Sequence, residues 1–144
     1  MDWRENILTS NESIVDLLRN TKTIAVLGIK PDTHSSQPAF YVSNYMQMAG
    51  YNIIPVPVYY PEVTEILGEK VYRKLVDVPG EVDMVNVFRR PQDIPQHVDD
   101  IIAKGPASVW FQLGIINHEA ARRLAEAGIK VVQDKCLMVE HRYL

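Results

Sequence analysis

The sequence contains only one cysteine, Cys136, and it has no long apolar run. A single thiol cannot form a disulfide within the chain, which is typical of proteins from a reducing compartment, so we expect a cytoplasmic protein. No segment approaches the roughly 20 consecutive apolar residues of a membrane-spanning helix. The first six residues include three charged side chains and lack the apolar run of a signal peptide. We therefore expect no membrane partner.

The chain also lacks an excess of positive charge, with 15 Lys and Arg against 18 Asp and Glu and a net charge of −3. This balance argues against a nucleic-acid partner, whose phosphates require a basic surface, although a local basic patch can still hold a small anion. The 144 residues, 47% of them hydrophobic, suit one globular domain with its own core. We predict a single domain over residues 1–144, with residues 1–21 packing on it as an N-terminal helical region.

Apolar strands alternate with helices along the chain. The predicted strands cover residues 23–28, 51–56, 82–88, 107–113 and 129–132, and the predicted helices cover 38–49, 94–104 and 117–127. An earlier helix is predicted from a capping box formed by Thr9 and Glu12. Weaker patterns indicate a short strand at 70–72 and a turn or helix from Leu137. Because parallel strands need crossover connections, the alternation predicts an α/β fold: a Rossmann-like, doubly wound, mainly parallel sheet in a three-layer α/β/α sandwich.

In such a sheet, ligands bind outside the carboxyl ends of the strands. The first predicted strand ends at Gly28, and a loop with Lys30, Ser35 and Ser36 leads into the next helix. Free N–H groups at a helix start favour phosphate, and hydroxyl groups add donors. Lys30 and Thr33 stand where a G-x-G-x-x-G motif needs its later glycines, so a full dinucleotide fingerprint is absent. Phosphate binding and an ordinary capped connection fit this loop equally well.

Two other strand ends carry residues suited to a nucleotide. Arg89 and Arg90 follow Phe88, and guanidinium groups match phosphate geometry, although either arginine is equally well explained as a solvated surface charge. Tyr59 and Tyr60 follow the second long strand, where aromatic rings fit stacking on a base as well as packing against a second copy of the chain. A homodimer, with a second copy of the chain as the partner, is therefore one of the alternatives that the sequence predicts.

Enzymatic chemistry has two candidate residues. Cys136 follows the last strand and is either a reactive thiol or a small buried hydrophobe. His118 begins a helix together with Glu119, a pair that suggests acid–base chemistry or a simple interaction with the helix dipole. His141 has no second histidine or cysteine at ligand spacing beyond it, so we expect no metal site.

Six sequence blocks occur in an order typical of one family; they cover residues 24–28, 37–42, 67–72, 85–91, 109–115 and 134–141. Two are the most specific, Trp-x-Gln-Leu-Gly from Trp110 and Asp-x-Cys-x-Met-x-Glu-His from Asp134. Together the blocks resemble the small stand-alone CoA-binding proteins of bacteria and archaea. That family is similar to the N-terminal CoA-binding domain of the succinyl-CoA synthetase α subunit. The resemblance extends over residues 22–144.

The resemblance implies that coenzyme A or an acyl-CoA lies across the carboxyl edge of the sheet. Because the residues show no convincing catalytic set, we expect this chain to bind the ligand without chemistry of its own. The resemblance also implies phosphate contacts in the first loop, adenosine contacts after the central strand, and contacts with the pantetheine arm and thiol farther along. From the strand ends and the resemblance together, we predict these binding residues: Gly28, Ile29, Lys30, Ser35, Ser36, Gln37, Pro57, Phe88, Arg89, Arg90, Gln112, Gly114 and Cys136.

Two positions depart from the family pattern. Gln37-Pro38 replaces the usual Arg-Pro, and Val56-Pro57-Val58 replaces the usual Val-Asn-Pro. The loss of one charge-assisted hydrogen bond costs about 1.5–3 kcal/mol, or roughly one to two decades in affinity. The sequence thus leaves three functions open: a CoA-binding module, an enzyme that handles CoA thioesters through Cys136 or His118, and a regulatory or structural dimer that has lost its ligand.

Overall fold

The computed structural model describes residues 2–144 and contains a five-stranded parallel sheet between two helical layers. The strands are β1 (Thr23–Leu27), β2 (Asn52–Val56), β5 (Met84–Val87), β6 (Ser108–Phe111) and β7 (Lys130–Val132), and β3 (Glu65–Ile66) and β4 (Glu69–Lys70) form a separate antiparallel hairpin. The helices are α1 (Asn11–Arg19), α2 (Pro38–Met48), α3 (Val98–Lys104), α4 (His118–Glu126) and α5 (Leu137–Arg142).

Apolar residues cover both faces of the sheet. Helices α1, α2 and α5 pack on one face through residues such as Met46 and Leu137. Helices α3 and α4 pack on the other face through residues such as Ile101 and Leu124. Every residue of β5 and β6 is buried, which explains why these strands have no alternating polar positions. The predicted α/β/α sandwich with a parallel, doubly wound sheet is confirmed.

The order of the strands is β2-β1-β5-β6-β7. From β1 the chain passes through α2 to β2 on one side, whereas β5 lies on the other side of β1 and the later strands follow outward from it. The strand order therefore reverses between β1 and β5. In open α/β sheets this reversal leaves a crevice at the carboxyl ends of the two strands.

Two predicted helix starts are wrong. Helix α1 is capped by Ser10 rather than Thr9, because the Ser10 hydroxyl accepts the hydrogen bond from the Ser13 N–H at 3.1 Å. The helix predicted over 94–104 is α-helical only from Val98. Two 3-10 turns precede it, and each begins with a proline that has no N–H to donate.

The weak strand predicted at 70–72 is shifted. The structure pairs Glu69–Lys70 with Glu65–Ile66 in the small hairpin, and a tight turn at Leu67 and Gly68, both with positive φ, joins the two short strands. The predicted helix from Leu137 is confirmed as α5.

The N-terminal residues contact the far edge of the sheet. The buried Asn6 side chain donates to the Ala125 carbonyl at 2.9 Å, and Leu8 N–H donates to the Val131 carbonyl at 2.8 Å. These contacts hold the segment before α1 against α4 and β7. No helix within residues 2–144 has the length and apolar character needed to cross a bilayer.

Candidate ligand-binding site

A cleft of about 510 Å³ opens at the carboxyl ends of β1, β5 and β6, beside the first turn of α2. It lies at the reversal of strand order described above. Its lining consists of Lys30, Gln37, Pro38, Ala39, Tyr41, Phe88, Arg89, Arg90, Pro91, Gln112, Leu113, Ile115 and Cys136. The volume falls in the range of about 300–1,000 Å³ that is usual for small-molecule sites.

The wall of the cleft is cationic. Lys30, Arg89 and Arg90 are among the lining residues, and no lining residue is acidic. Arg90 is paired on its outer side with Asp93, whose Oδ2 lies 2.7 Å from the Arg90 Nε. Lys30 donates through its Nζ to the Oε1 of Gln37, a neutral partner that leaves the ammonium charge uncompensated. In a protein with a net charge of −3, this local excess of positive charge favours an anionic ligand.

The first turn of α2 adds one backbone donor to the same wall. Gln37 occupies the N-cap position without making a side-chain cap, and Pro38 begins the helix. The Ala39 N–H donates to no other group of residues 2–144, while the Ala39 carbonyl accepts from the Lys30 N–H at 3.1 Å. An open helix start next to a lysine is an arrangement that binds phosphate.

Arg89 is a largely enclosed cation of the cleft, since its side chain is only 8% exposed, against 71% for Arg90. Its Nε donates to His97 Nε2 at 3.1 Å, and its Nη1 donates to the Tyr59 hydroxyl at 3.4 Å. The guanidinium also lies over the Tyr59 ring at 5.5 Å. The nearest carboxylate oxygen, on Asp93, is 3.9 Å away. The arginine is therefore held mainly by neutral groups, and its charge remains available to a ligand.

The surroundings of His97 favour its neutral form. Burial lowers the pKa of its imidazole, and the neighbouring Arg89 lowers the pKa further, against smaller opposing effects of Asp100 and Asp93. Since Arg89 Nε–H points at Nε2, this nitrogen carries the lone pair and Nδ1 carries the proton.

Gly28 allows the two central loops to approach each other. Its φ is +87°, and a Cβ built on it would lie 2.3 Å from the Phe88 carbonyl oxygen and 3.2 Å from the Arg89 Cδ. Gly28 therefore makes room for the loop after β5, which in turn places Arg89.

Gln112 forms the floor of the cleft and is buried. Its Nε2 donates to Asn86 Oδ1 at 2.7 Å, and its Oε1 accepts from the Leu137 N–H at 3.4 Å. The amide thus connects β5, β6 and the start of α5. These two hydrogen bonds stabilise the floor of the cleft. The bond to the Leu137 N–H also places the preceding residue, Cys136, at the edge of the cleft.

The structure brings together seven of the thirteen predicted binding residues and leaves six outside the cleft lining. The seven are Lys30, Gln37, Phe88, Arg89, Arg90, Gln112 and Cys136. Ile29 is buried in the core beneath the loop, and Ser35 and Ser36 are exposed before α2. Pro57 lines a second cavity, of about 350 Å³, and the Gly114 N–H donates to Asp134 Oδ1 at 2.7 Å.

Cys136 and His118 lie in different places. Cys136 is half-buried at the edge of the cleft, whereas His118 is exposed and lines a separate cavity beside Trp3. The two residues therefore cannot act together on one bound thioester. Within residues 2–144 no three His, Cys, Asp or Glu side chains are grouped as metal ligands would be.

Several lining residues were missed by the sequence reasoning. They are Pro38, Ala39, Tyr41, Pro91, Leu113 and Ile115. Most are apolar residues beside a predicted site residue, so the only signal was their adjacency to a strand end or helix start. His97 was also missed, because nothing in the sequence connects it with an arginine eight positions earlier.

These features define a Rossmann-like α/β protein with a cationic cleft at its topological switch point. Comparison with known proteins narrows this class. A family model described as a CoA binding domain matches residues 22–142. The YneT protein of Bacillus subtilis (strain 168) is 38% identical over 134 residues, covering 92% of this chain and 94% of YneT. The chain belongs to the CoA binding domain family.

Solved structures of similar sequence share the fold of this chain. A Thermus thermophilus protein is 39% identical with a TM-score of 0.85, and the match covers 94% of this chain and 98% of that one. A hypothetical protein from Pyrococcus horikoshii OT3 is 33% identical with a TM-score of 0.83, covering 94% of this chain and 92% of that one.

Proposed function

We propose that this protein binds coenzyme A or an acyl-CoA in the cleft at the carboxyl edge of its sheet. The observation that carries the proposal is the cleft wall, where Lys30, Arg89 and Arg90 stand without any acidic lining residue. Coenzyme A is strongly anionic through its phosphates, and membership of the CoA binding domain family supports it over other anions.

The two ends of the cleft suit different parts of the ligand. Lys30 and the open Ala39 N–H would meet phosphate oxygens, and the Phe88 ring with the arginines after it would lie on the adenosine side. Toward Gln112 and Cys136 the lining contains apolar side chains, which suit a pantetheine arm with its thiol or thioester end.

The hydrogen bond between Gln37 and Lys30 supports the proposed binding despite the departure from the family pattern. An arginine at this position would repel Lys30, whereas the Gln37 amide accepts a hydrogen bond from it. The lysine is thereby oriented at the helix start, and an incoming phosphate replaces a neutral acceptor rather than a carboxylate. The loss of one charge is partly offset by this better placement of the other.

Binding without chemistry is the function that the site supports best. Cys136 is the single residue of the enzymatic alternative that reaches the cleft, and His118 lies elsewhere. A cleft with fixed cations, and with no His, Asp or Glu among its lining residues, is suited to holding a ligand.

Calorimetric titration with CoA tests the proposal directly, at about 50 and about 200 mM salt. We expect Arg89→Gln and Lys30→Gln each to weaken binding by about 10–100-fold, because each removes a charge-assisted contact. Arg122→Gln is the matched control, since Arg122 is 58% exposed and paired with Glu126 away from the cleft.

The proposal fails if the unmodified protein gives no heat with millimolar CoA. It also fails if Arg122→Gln weakens binding as much as Arg89→Gln does. An absence of binding combined with a dimer in solution would favour the structural alternative.

A further inference from the structure

We propose that His97 is a positioning residue for the ligand site and that it holds Arg89 at the cleft wall by accepting a hydrogen bond from Arg89 Nε. This inference rests on the proposed function, because the purpose of the placement is to present the guanidinium to a bound phosphate. His97 itself does not line the cleft.

The geometry makes His97 an acceptor rather than a donor. Two N–H groups approach the same imidazole nitrogen, Arg89 Nε at 3.1 Å and the Gln96 Nε2 amide at 3.3 Å. A nitrogen that faces two donors must present its lone pair to them. The Tyr59 hydroxyl at 3.4 Å and Asp93 Oδ2 at 3.9 Å are the other polar groups at the guanidinium, and both are farther away.

The imidazole of His97 also lines the second cavity, of about 350 Å³, together with Arg73, Lys74 and Asp100. The charged groups around His97 are therefore Arg89, Asp93 and Asp100, with Arg73 and Lys74 in the lining of the same cavity.

Protonation of His97 would undo this placement. An imidazolium ring has no lone pair for Arg89 Nε–H, and it adds a positive charge next to the guanidinium. Arg89 would then keep only its longer contacts, which are those with Tyr59 and Asp93. A displaced arginine must be ordered again when the ligand binds, which lowers affinity. Because burial and Arg89 lower the pKa of His97, this loss begins below the pKa of an ordinary histidine.

The test compares CoA affinity of the unmodified protein with that of His97→Gln and His97→Leu, from about pH 5 to about pH 8. Glutamine keeps an acceptor that does not titrate, and leucine keeps the bulk without an acceptor. We expect His97→Leu to bind about tenfold more weakly at the upper end of this pH range, while His97→Gln binds within a few-fold of the unmodified protein. Thermal unfolding of each variant checks that it is folded.

The pH profile separates positioning from mere packing. Phosphates of CoA titrate in this range too, but their effect is the same for all three proteins. We expect the affinity of the unmodified protein to fall more steeply toward low pH than that of His97→Gln. Parallel profiles, or equal affinity of His97→Leu and His97→Gln, would overturn the inference while leaving CoA binding intact.

A ligand-free measurement distinguishes failure of this inference from failure of the proposed function. Nitrogen-15 NMR of the imidazole should show a protonated Nδ1 and an unprotonated Nε2, and Arg89→Gln should raise the pKa of His97. If CoA does not bind but these signals appear, the pairing stands and the proposed ligand is wrong. A protonated Nε2 in the neutral ring would overturn the pairing itself.

Discussion

Substitution of Gly28 by alanine is a perturbation whose effect can be worked out from the structure. The residue has a φ of +87°, and the added Cβ would lie 2.3 Å from the carbonyl oxygen of Phe88 and 3.2 Å from the Cδ of Arg89. The first of these contacts is to backbone, which cannot rotate away. The loop after β5 must therefore move if the methyl group is to be accommodated.

Two costs add up in Gly28→Ala. Placing a non-glycine residue in the left-handed region costs about 1–2 kcal/mol. Forcing an extra carbon into a filled space costs about 1–3 kcal/mol more. We expect the free energy of unfolding to fall by about 2–5 kcal/mol, and the melting temperature by about 6–15 °C for a domain of this size.

Gly128→Ala provides the matched control. Gly128 has a nearly identical φ of +86°, but no atom lies within 4 Å of the position that its added Cβ would occupy. This substitution carries only the conformational cost of about 1–2 kcal/mol. Urea denaturation measures how much each variant loses in free energy of unfolding. The difference between the two losses is the steric contribution at Gly28. Equal destabilisation by the two substitutions would refute the close approach of Gly28 to the β5 loop.

Two further substitutions test other contacts. Trp110→Phe removes the Nε1–H donation to the Lys135 carbonyl, 2.7 Å long, so the free energy of unfolding should fall by about 1 kcal/mol or more; an unchanged urea midpoint would contradict this. Arg90→Gln should raise the pKa of Asp93, because the hydrogen bond from Arg90 is the main cause that lowers it. The stability that this lowered pKa provides is present above the unfolded-state pKa and is lost as pH falls through the folded-state pKa. An NMR titration of the Asp93 carboxyl that is the same in both proteins would show that the pair does not form in solution.

The sheet could be predicted because its strands are short apolar runs covered on both faces. Residues 24–27 and 85–87 are apolar at every position except Asn86, with no alternation of polar and apolar side chains. Such short apolar runs are typical of parallel strands that are buried on both faces. The helix starts were harder to predict. Periodicity favours a helix from Ile94, but Pro95 keeps the chain in a 3-10 turn until Val98.

The residues of the candidate site could be predicted only from their position after a strand. Every strand end was a candidate, yet a loop that leaves the carboxyl edge can turn toward either face. Pro57 therefore lines a cavity with His97, although it follows a strand next to the one that supplies Lys30. Which face each loop meets depends on the packing of helices far away in sequence, and local patterns carry no information about it.

Arg89 and Arg90 show what the structure adds to a motif. In the sequence they are neighbours, and the motif predicts phosphate binding for both equally well. In the fold, the Arg90 side chain is 71% exposed and paired with Asp93, whereas that of Arg89 is 8% exposed and held by His97. An exposed ion pair contributes little, because water screens it and flexible side chains must be ordered. A cation that is already desolvated and fixed interacts more strongly with an incoming phosphate and loses less entropy when it binds. If one arginine determines the affinity for an anionic ligand, it is therefore Arg89, and Arg90→Gln should weaken CoA binding much less than Arg89→Gln.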